Sequence, residues 1–315
     1  MGEFFRTYSF LFVSVFGEFF RTYSFLFVSV FLGAILGLSL YLPLMGGQLS
    51  LATPGFYSIG GYTAAILSTR IFPQSSPFPL VYVLVEILLG GVLAGLSALL
   101  VGIPSLRLRG IYFAIATIAF VEVLRVLALT LDITGKAIGI SNIPQPFDNT
   151  LGYLWLVLPL LTAAIAMTIY IEKARMGRAL RAIRSDEIAA QAVGINSNYY
   201  KIFSFTLGAI LAGVAGAISA HFLNTWNPRQ GSFDSSITQL AFVIIGGSRS
   251  VWGPVLGGIF LTALPEILRQ LGGVTFFPPF LSQFFREGRL IIFGLLLILG
   301  SIYFPQGLVR PQPRP

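Results

Sequence analysis

The sequence predicts an all-α polytopic membrane protein of about eight or nine transmembrane or half-spanning helices, some broken by glycine and proline. Three observations carry this. Of 315 residues, 55% are hydrophobic and only 10% charged; a soluble domain carries charge at about a quarter of its positions. Apolar stretches long enough to cross a bilayer as a helix, about 20 residues, recur along the chain. Basic residues gather in one stretch, 172–200, as they do in the cytoplasmic loops of membrane proteins.

Residues 2–16, GEFFRTYSFLFVSVF, are repeated without change as 17–31. The second copy runs straight into the first complete apolar stretch, 23–44. The first copy offers only 8–16 before Gly17 and Glu18 interrupt it, which is too short to cross. A fifteen-residue step also turns a helix by about 60° at 3.6 residues per turn, so the copies cannot present one face to one partner. Residues 1–22 are therefore expected to be an extension outside the core, 23–309 the transmembrane domain and 310–315 a cytoplasmic tail. Stretch 79–103 holds one acid, Glu86, and 110–131 holds Glu122 and Arg125; 150–171, 201–223, 251–269 and 289–304 follow. Two shorter glycine-containing stretches, 54–69 and 237–247, read as broken or half-spanning helices. No small-residue cleavage site follows the first apolar run, so no cleavable signal peptide is expected.

Orientation follows from the basic loops. Lys173, Arg175, Arg178, Arg181, Arg184 and Lys201 define the cytoplasmic side, and counting spans outward adds Arg107, Arg109, Arg249, Arg310 and Arg314. Arg70, Lys136, Arg229, Arg269, Arg286 and Arg289 fall on the opposite side. The formal charge of +8 belongs to these loops and implies no nucleic-acid partner. With no cysteine and a single histidine, His221, the chain can build neither a thiolate or histidine-rich metal site nor a Ser-His-Asp triad. His221 is expected at a helix end in the membrane interface. The sequence contains no P-loop, no H-E-x-x-H and no convincing nucleophile–base pair, so no covalent chemistry, cofactor or metal is expected in this chain.

A fainter repeat is more informative. Gly46-Gly47-x-x-Ser50 leads to Pro54, and Gly246-Gly247-x-x-Ser250 leads to Pro254. In each case an apolar segment precedes the motif and a glycine-rich helix follows. The counted topology puts both copies on one face. Interrupted helices are tolerated at depth only against protein or a watery cavity, which makes these residues candidates for a translocation path; two ordinary turns are the plainer reading.

The cytoplasmic stretch GRALRAIRSDEIAAQAVGINSNYYK spells a short helix. Ser185 is a suitable N-cap, Asp186 and Glu187 suit the positive helix end, and Gly194 suits a left-handed stop. Ile188, Ala192 and Ile195 recur at helical spacing, and the small Ala189 and Ala190 would let another protein approach closely. A solvated connecting loop is the alternative.

DEIAAQAVG resembles the Glu-Ala-Ala…Gly signature of the permease subunits of ABC importers, which docks in a groove on the ATPase. Together with GQLSLATPGFYSIGGYTAA, YFAIATIAFVEVLR and GGSRSVWGPVLGG, it is similar to the branched-chain amino acid ABC permease family, in its M-type subunit, over about residues 41–309. The chain departs from the family at Ala52-Thr53-Pro54-Gly55-Phe56, where members often read Gly-His-Ala-Ala-Phe. The resemblance implies a non-catalytic permease subunit for branched-chain or other neutral amino acids in a bacterial-type inner membrane, with its C-terminus cytoplasmic. It implies a second permease sharing the path, two cytoplasmic ATPases that use ATP and magnesium, and an extracytoplasmic solute-binding protein. Arg184, Ser185, Asp186, Glu187, Ala189, Ala190 and Gly194 would dock on the ATPase.

Urea importers share this architecture, so a urea or related small-solute permease stays open. An ion-coupled carrier or channel acting alone would need intramembrane acids, and Glu86, Glu122 and Glu266 are the ones available. Glu122 and Arg125, spaced i, i+3, can pair on one helix face. An unpaired charge at the bilayer centre costs about 2.5–3.5 kcal/mol, so pairing or a wet cavity is expected; the pair either lines the path or is structural.

Overall fold

The computed structural model of the protein describes residues 23–72, 78–108, 110–271, 289–303 and 307–309. The expectations for residues 1–22 and 310–315, and for Arg109 and Arg286, lie outside the described residues.

Most of the described chain is helix, as the sequence predicts. The elements are α1 (Ser24–Met45), α2 (Thr53–Ile66, prolonged by a π turn Leu67–Ile71), α3 (Leu80–Ser105), α4 (Ile111–Thr130), α5 (Leu154–Lys173), α6 (Arg175–Ser185), α7 (Glu187–Ala192), α8 (Ser197–Leu223), α9 (Phe233–Gly246), α10 (Trp252–Leu271) and α11 (Arg289–Tyr303). The only strands among the described residues are β1 (Ile140–Ser141) and β2 (Thr225–Trp226), paired antiparallel with Ile140 opposite Trp226. Among the described residues, five helices are long and apolar enough to cross a membrane, and α1 and α8 are the most buried of them.

The arrangement follows from where the small residues fall. On α3, Val83, Glu86, Gly90, Ala94 and Ala98 recur every three or four residues and are buried, while Leu84, Leu88, Leu96 and Leu100 face outward. That stripe packs α3 on α8. In lipid, apolar side chains gain nothing by leaving one apolar medium for another, so helices associate through close backbone approach. Gly60 of α2 lies against Gly213 of α8, and Gly258 of α10 against Gly33 of α1; a Cβ at Gly60 or Gly258 would collide with the opposing carbonyl. The outward Leu and Val of α3, α4 and α5 are the exposed apolar complement of these seams.

Two helices start inside the bundle. Before α2, the extended segment 48–52 is threaded between neighbours: Leu51 N–H donates to Thr117 Oγ1 (3.0 Å), and Ser236 Oγ donates to the Leu51 carbonyl (3.0 Å). Thr117 lies six residues into α4, about 9 Å from its start at 1.5 Å per residue. Helix α9 starts deeper, with Phe233 N–H donating to Glu122 Oε1 (3.2 Å) near the middle of α4. It begins four residues before the apolar run, because Ser232 caps it: the Ser232 hydroxyl accepts the Ser235 N–H (3.3 Å). These are the broken, half-spanning helices expected from the glycine and proline pattern.

His221 sits in the last turn of α8, the helix end expected, but buried in protein rather than exposed there: His221 and Glu86 of α3 are both fully buried and pair through Nε2 and Oε2. The ring's Nδ1–H donates to the Pro144 carbonyl (2.7 Å). The His221 carbonyl takes the Tyr153 hydroxyl (3.0 Å). One fully desolvated contact thus joins α3, α8, the segment after β1 and the start of α5. The sequence concealed it because its two halves are 135 residues apart.

Candidate functional site

The amphipathic α6 ends at Ser185, whose hydroxyl donates back to the Arg181 carbonyl (3.0 Å). The N-cap of α7 is Asp186, a correction to the expected Ser185. Asp186 leaves the helical region (φ −155°, ψ 111°), and its Oδ1 accepts the N–H groups of Ile188 (2.9 Å) and Ala189 (3.0 Å). A carboxylate at this position satisfies two free donors and complements the helix dipole, which a hydroxyl does only in part. Gly194 stops the helix as expected, at φ +87°, with Gly194 N–H to the Gln191 carbonyl (3.0 Å) and Ile195 N–H to the Ala190 carbonyl (3.0 Å). Nothing lies within 4 Å of a Cβ built there, so the backbone conformation alone demands glycine.

The faces of α7 differ from the simple periodic reading. Ala190 points inward, whereas Ile188 and Val193 are 70% and 78% exposed, flanking the exposed Ala189. Glu187 is not free for a partner: its Oε1 takes Lys201 Nζ of α8 at 2.6 Å, with both side chains mostly buried. Gln191 Nε2 reaches Ser197 Oγ (3.3 Å). The result is a short helix tied to α8 on one side, with aliphatic groups projecting from the other.

Arg184 turns away from the projecting face. Its Nη1 donates to the Ser248 carbonyl (3.0 Å) and its Nη2 to the Ser248 hydroxyl (3.4 Å). A Cβ built on Gly47 would lie 3.4 Å from the Arg184 Cα. The last turn of α6 is therefore lodged between the two Gly-Gly turns, which share one end of the bundle as the repeat implied. Both turns have positive φ at their second glycine, +76° at Gly47 and +112° at Gly247. In both copies the serine accepts the N–H two residues on, just before or at the start of the next helix: Ser50 Oγ accepts the Ala52 N–H (3.2 Å) and Ser250 Oγ the Trp252 N–H (3.4 Å). Pro54 and Pro254 occupy first turns, where a missing N–H costs nothing. A polar cavity of about 900 Å³ opens beside the second turn, with Arg181, Arg184 and Arg249 in its wall.

The sequence-derived candidates thus separate into two groups. Gly46, Gly47, Gly246, Gly247 and Ser250 lie in the two turns at one end, where Arg184 meets Gly47 and Ser248, while Pro254 already packs against Gly37 of α1. Glu122 and Arg125 lie deeper, paired at 2.8 Å, with Glu122 also holding the first N–H of α9. Ser50 and Pro54 lead toward that second group through Leu51, Thr117 and Ser236. Sequence reasoning passed over two buried amides. Gln48, inside the first repeat, is 6% exposed and has no partner at either amide atom among the described residues; Gln239 in α9 is 5% exposed with its Oε1 equally unpartnered. An amide inside an otherwise apolar run was the available signal. No cluster of three or more histidine, cysteine, aspartate or glutamate side chains suited to a metal occurs among the described residues.

Helices that begin inside the bundle, lipid-facing outer helices and a tethered surface helix at one end define a multi-pass membrane permease. Residues 22–300 match the family model described as branched-chain amino acid transport system / permease component, and the chain belongs to that family. It is 33% identical over 316 residues to the high-affinity branched-chain amino acid transport system permease protein LivM of Escherichia coli K12, covering 89% of this chain and 68% of the relative. To LivH of the same organism it is 32% identical over 173 residues, 55% of this chain and 51% of the relative. A probable branched-chain amino acid transport permease protein LivM of Methanocaldococcus jannaschii is 26% identical over 299 residues, 85% of this chain and 82% of that one. No solved structure matches the chain.

Proposed function

We propose that the chain is the transmembrane permease subunit of an ATP-driven importer of branched-chain or other neutral amino acids. It would form the path with a second, related permease in a bacterial-type inner membrane. Two cytoplasmic ATPases, using ATP and magnesium, would drive it, and an extracytoplasmic binding protein would deliver the solute. The end bearing α6, α7 and the Gly-Gly turns is the cytoplasmic one on this reading, which also puts the C-terminus there.

One observation carries the mechanical part: α7 presents Ile188, Ala189 and Val193 outward while Glu187–Lys201 and Arg184–Ser248 fasten the segment to the helices behind it. An aliphatic knob suits a groove on a soluble partner, and the two polar ties would carry its displacement into α8 and the second Gly-Gly turn. A zwitterionic solute would need little fixed charge on its way, since interrupted helices offer free backbone groups. Two of the three acids an ion-coupled carrier could use are already engaged: Glu86 with His221, and Glu122 with Arg125.

The absence of native cysteine makes the test clean. A single cysteine at Val193 in the assembled complex is expected to crosslink to the ATPase through a short bifunctional thiol reagent, and Glu187→Arg, which turns the Lys201 tie into a repulsion, is expected to cut uptake per ATP hydrolysed at least fivefold. A Val193 cysteine that never reaches an ATPase in a complex importing leucine would remove the docking role.

A further inference from the structure

A second cavity, of about 350 Å³, lies between α1, α8, α9 and α10, on the half of the bundle away from the Gly-Gly turns. Its volume is within the range of small-molecule sites, roughly 300–1,000 Å³, and its two ends differ in chemistry. Leu32 and Leu36 of α1 and Phe242 of α9 form an aliphatic and aromatic wall. The polar part of the lining includes Asp234, exposed in the first turn of α9, and Gln239, buried five residues further on, with the hydroxyls of Tyr57, Ser219 and Thr262 beside them. Gln239 is 5% exposed, and its Oε1 has no donor among the described residues. A buried carbonyl in this state calls for a hydrogen-bond donor. The described lining carries one acid and no lysine, arginine or histidine, so its net charge favours a cationic donor.

We infer that this cavity is a subsite for the imported amino acid, with Asp234 and Gln239 receiving its ammonium and Leu32, Leu36 and Phe242 its aliphatic side chain. The carboxylate is turned toward the mouth. The inference rests on the transport reading above and narrows it to aliphatic α-amino acids, because a neutral solute such as urea brings neither the positive charge nor the hydrocarbon. The position fits a stage before the solute reaches the end where α7 sits. The chain dips past β2 and restarts as α9 here, so the polar end is built on one of the two helices that begin inside the bundle.

Thiol protection tests this. In the complete complex in liposomes without ATP, a single cysteine is placed at Thr238, whose hydroxyl bonds only to its own helix at Asp234 (2.9 Å). A small maleimide is then applied with leucine, alanine, aspartate or urea. Leucine is expected to slow labelling at least fivefold, alanine less, and aspartate and urea not at all; adding Gln239→Leu is expected to cancel the protection. Ser29→Cys, at another lining position, is the second reporter should the Thr238 variant fail to assemble. Unchanged labelling with leucine at both positions, in a complex that imports leucine when ATP is supplied, would overturn the subsite and leave the transport reading standing. No ATP-driven leucine uptake by the cysteine-free complex would overturn the transport reading, and the subsite with it.

Discussion

The two Gly-Gly turns use one local device in two different packings. Each bends on a second glycine with positive φ, each has a serine that accepts the N–H two residues on, and each is followed by a helix with proline in its first turn. After the second turn, α10 folds straight back on α9: a Cβ at Gly257 would collide with the Phe242 carbonyl. Leu308 and Val309 close that hairpin by donating to the carbonyls of Ile245 (2.8 Å) and Gly246 (3.1 Å). After the first turn the chain instead runs inward as a buried extended strand-like segment, and α2 leaves α1 to pack on α8. A turn motif sets the bend; the destination of the next helix is set by which glycine faces lie within reach. Only the first copy produces a helix start deep in the bundle, held by Thr117 and Ser236.

The largest expected effect comes from breaking either destination. Gly60→Leu inserts a side chain into the α2–α8 seam, and Gly257→Leu does the same in the α9–α10 hairpin. Overpacking of a close seam costs about 1–3 kcal/mol or more. Both variants should lose most of the detergent-stable protein, seen as a fall in monodisperse yield. They should differ in kind: Gly257→Leu disturbs a hairpin of adjacent helices, whereas Gly60→Leu severs helices joined only through tertiary packing. Limited proteolysis should therefore cut the segment before α2 in the first variant and spare it in the second.

A smaller effect is expected where one residue touches both turns. Arg184→Ala removes the two bonds to Ser248 and the packing against Gly47, without opening a core cavity. Insertion and yield should stay near wild type while uptake per ATP falls about three- to tenfold. Arg184→Lys should recover part of the loss, since an ammonium can still reach one carbonyl but cannot fork to the hydroxyl as well. Equal coupling ratios in all three proteins would mean that the turns move independently of α6.

Much of this was legible in the chain. Apolar runs at 23–44, 79–103 and 110–131 anticipated α1, α3 and α4 to within two residues, because lipid enforces both the length and the composition of a span. Gly194 was readable as a stop since its conformation is a local matter. The Glu122–Arg125 pair was readable from i, i+3 spacing. Asp186 displaced Ser185 as the cap through a competition between adjacent residues that depends on where α6 ends. The inward turn of Arg184 and the burial of His221 against Glu86 depend on partners 64 and 135 residues away, and no local pattern encodes them.

The finest probe compares the two serines. Ser50→Ala and Ser250→Ala delete the same acceptor from the same motif, and a net hydrogen bond is worth about 0.5–1.5 kcal/mol. The environments differ. Ser50 is 3% exposed in the inward segment, where no water can replace its oxygen, while Ser250 borders the open polar cavity. The Ala52 N–H is left with a buried deficit in the first variant, and the Trp252 N–H can turn to solvent in the second. Ser50→Ala should therefore lower the thermal transition of the purified protein by several degrees, and Ser250→Ala by less than about a third as much. Equal shifts would imply that water reaches the inward segment as readily as the exposed turn, which would make residues 48–52 a wetted part of the path and give the unpartnered Gln48 amide its missing partner.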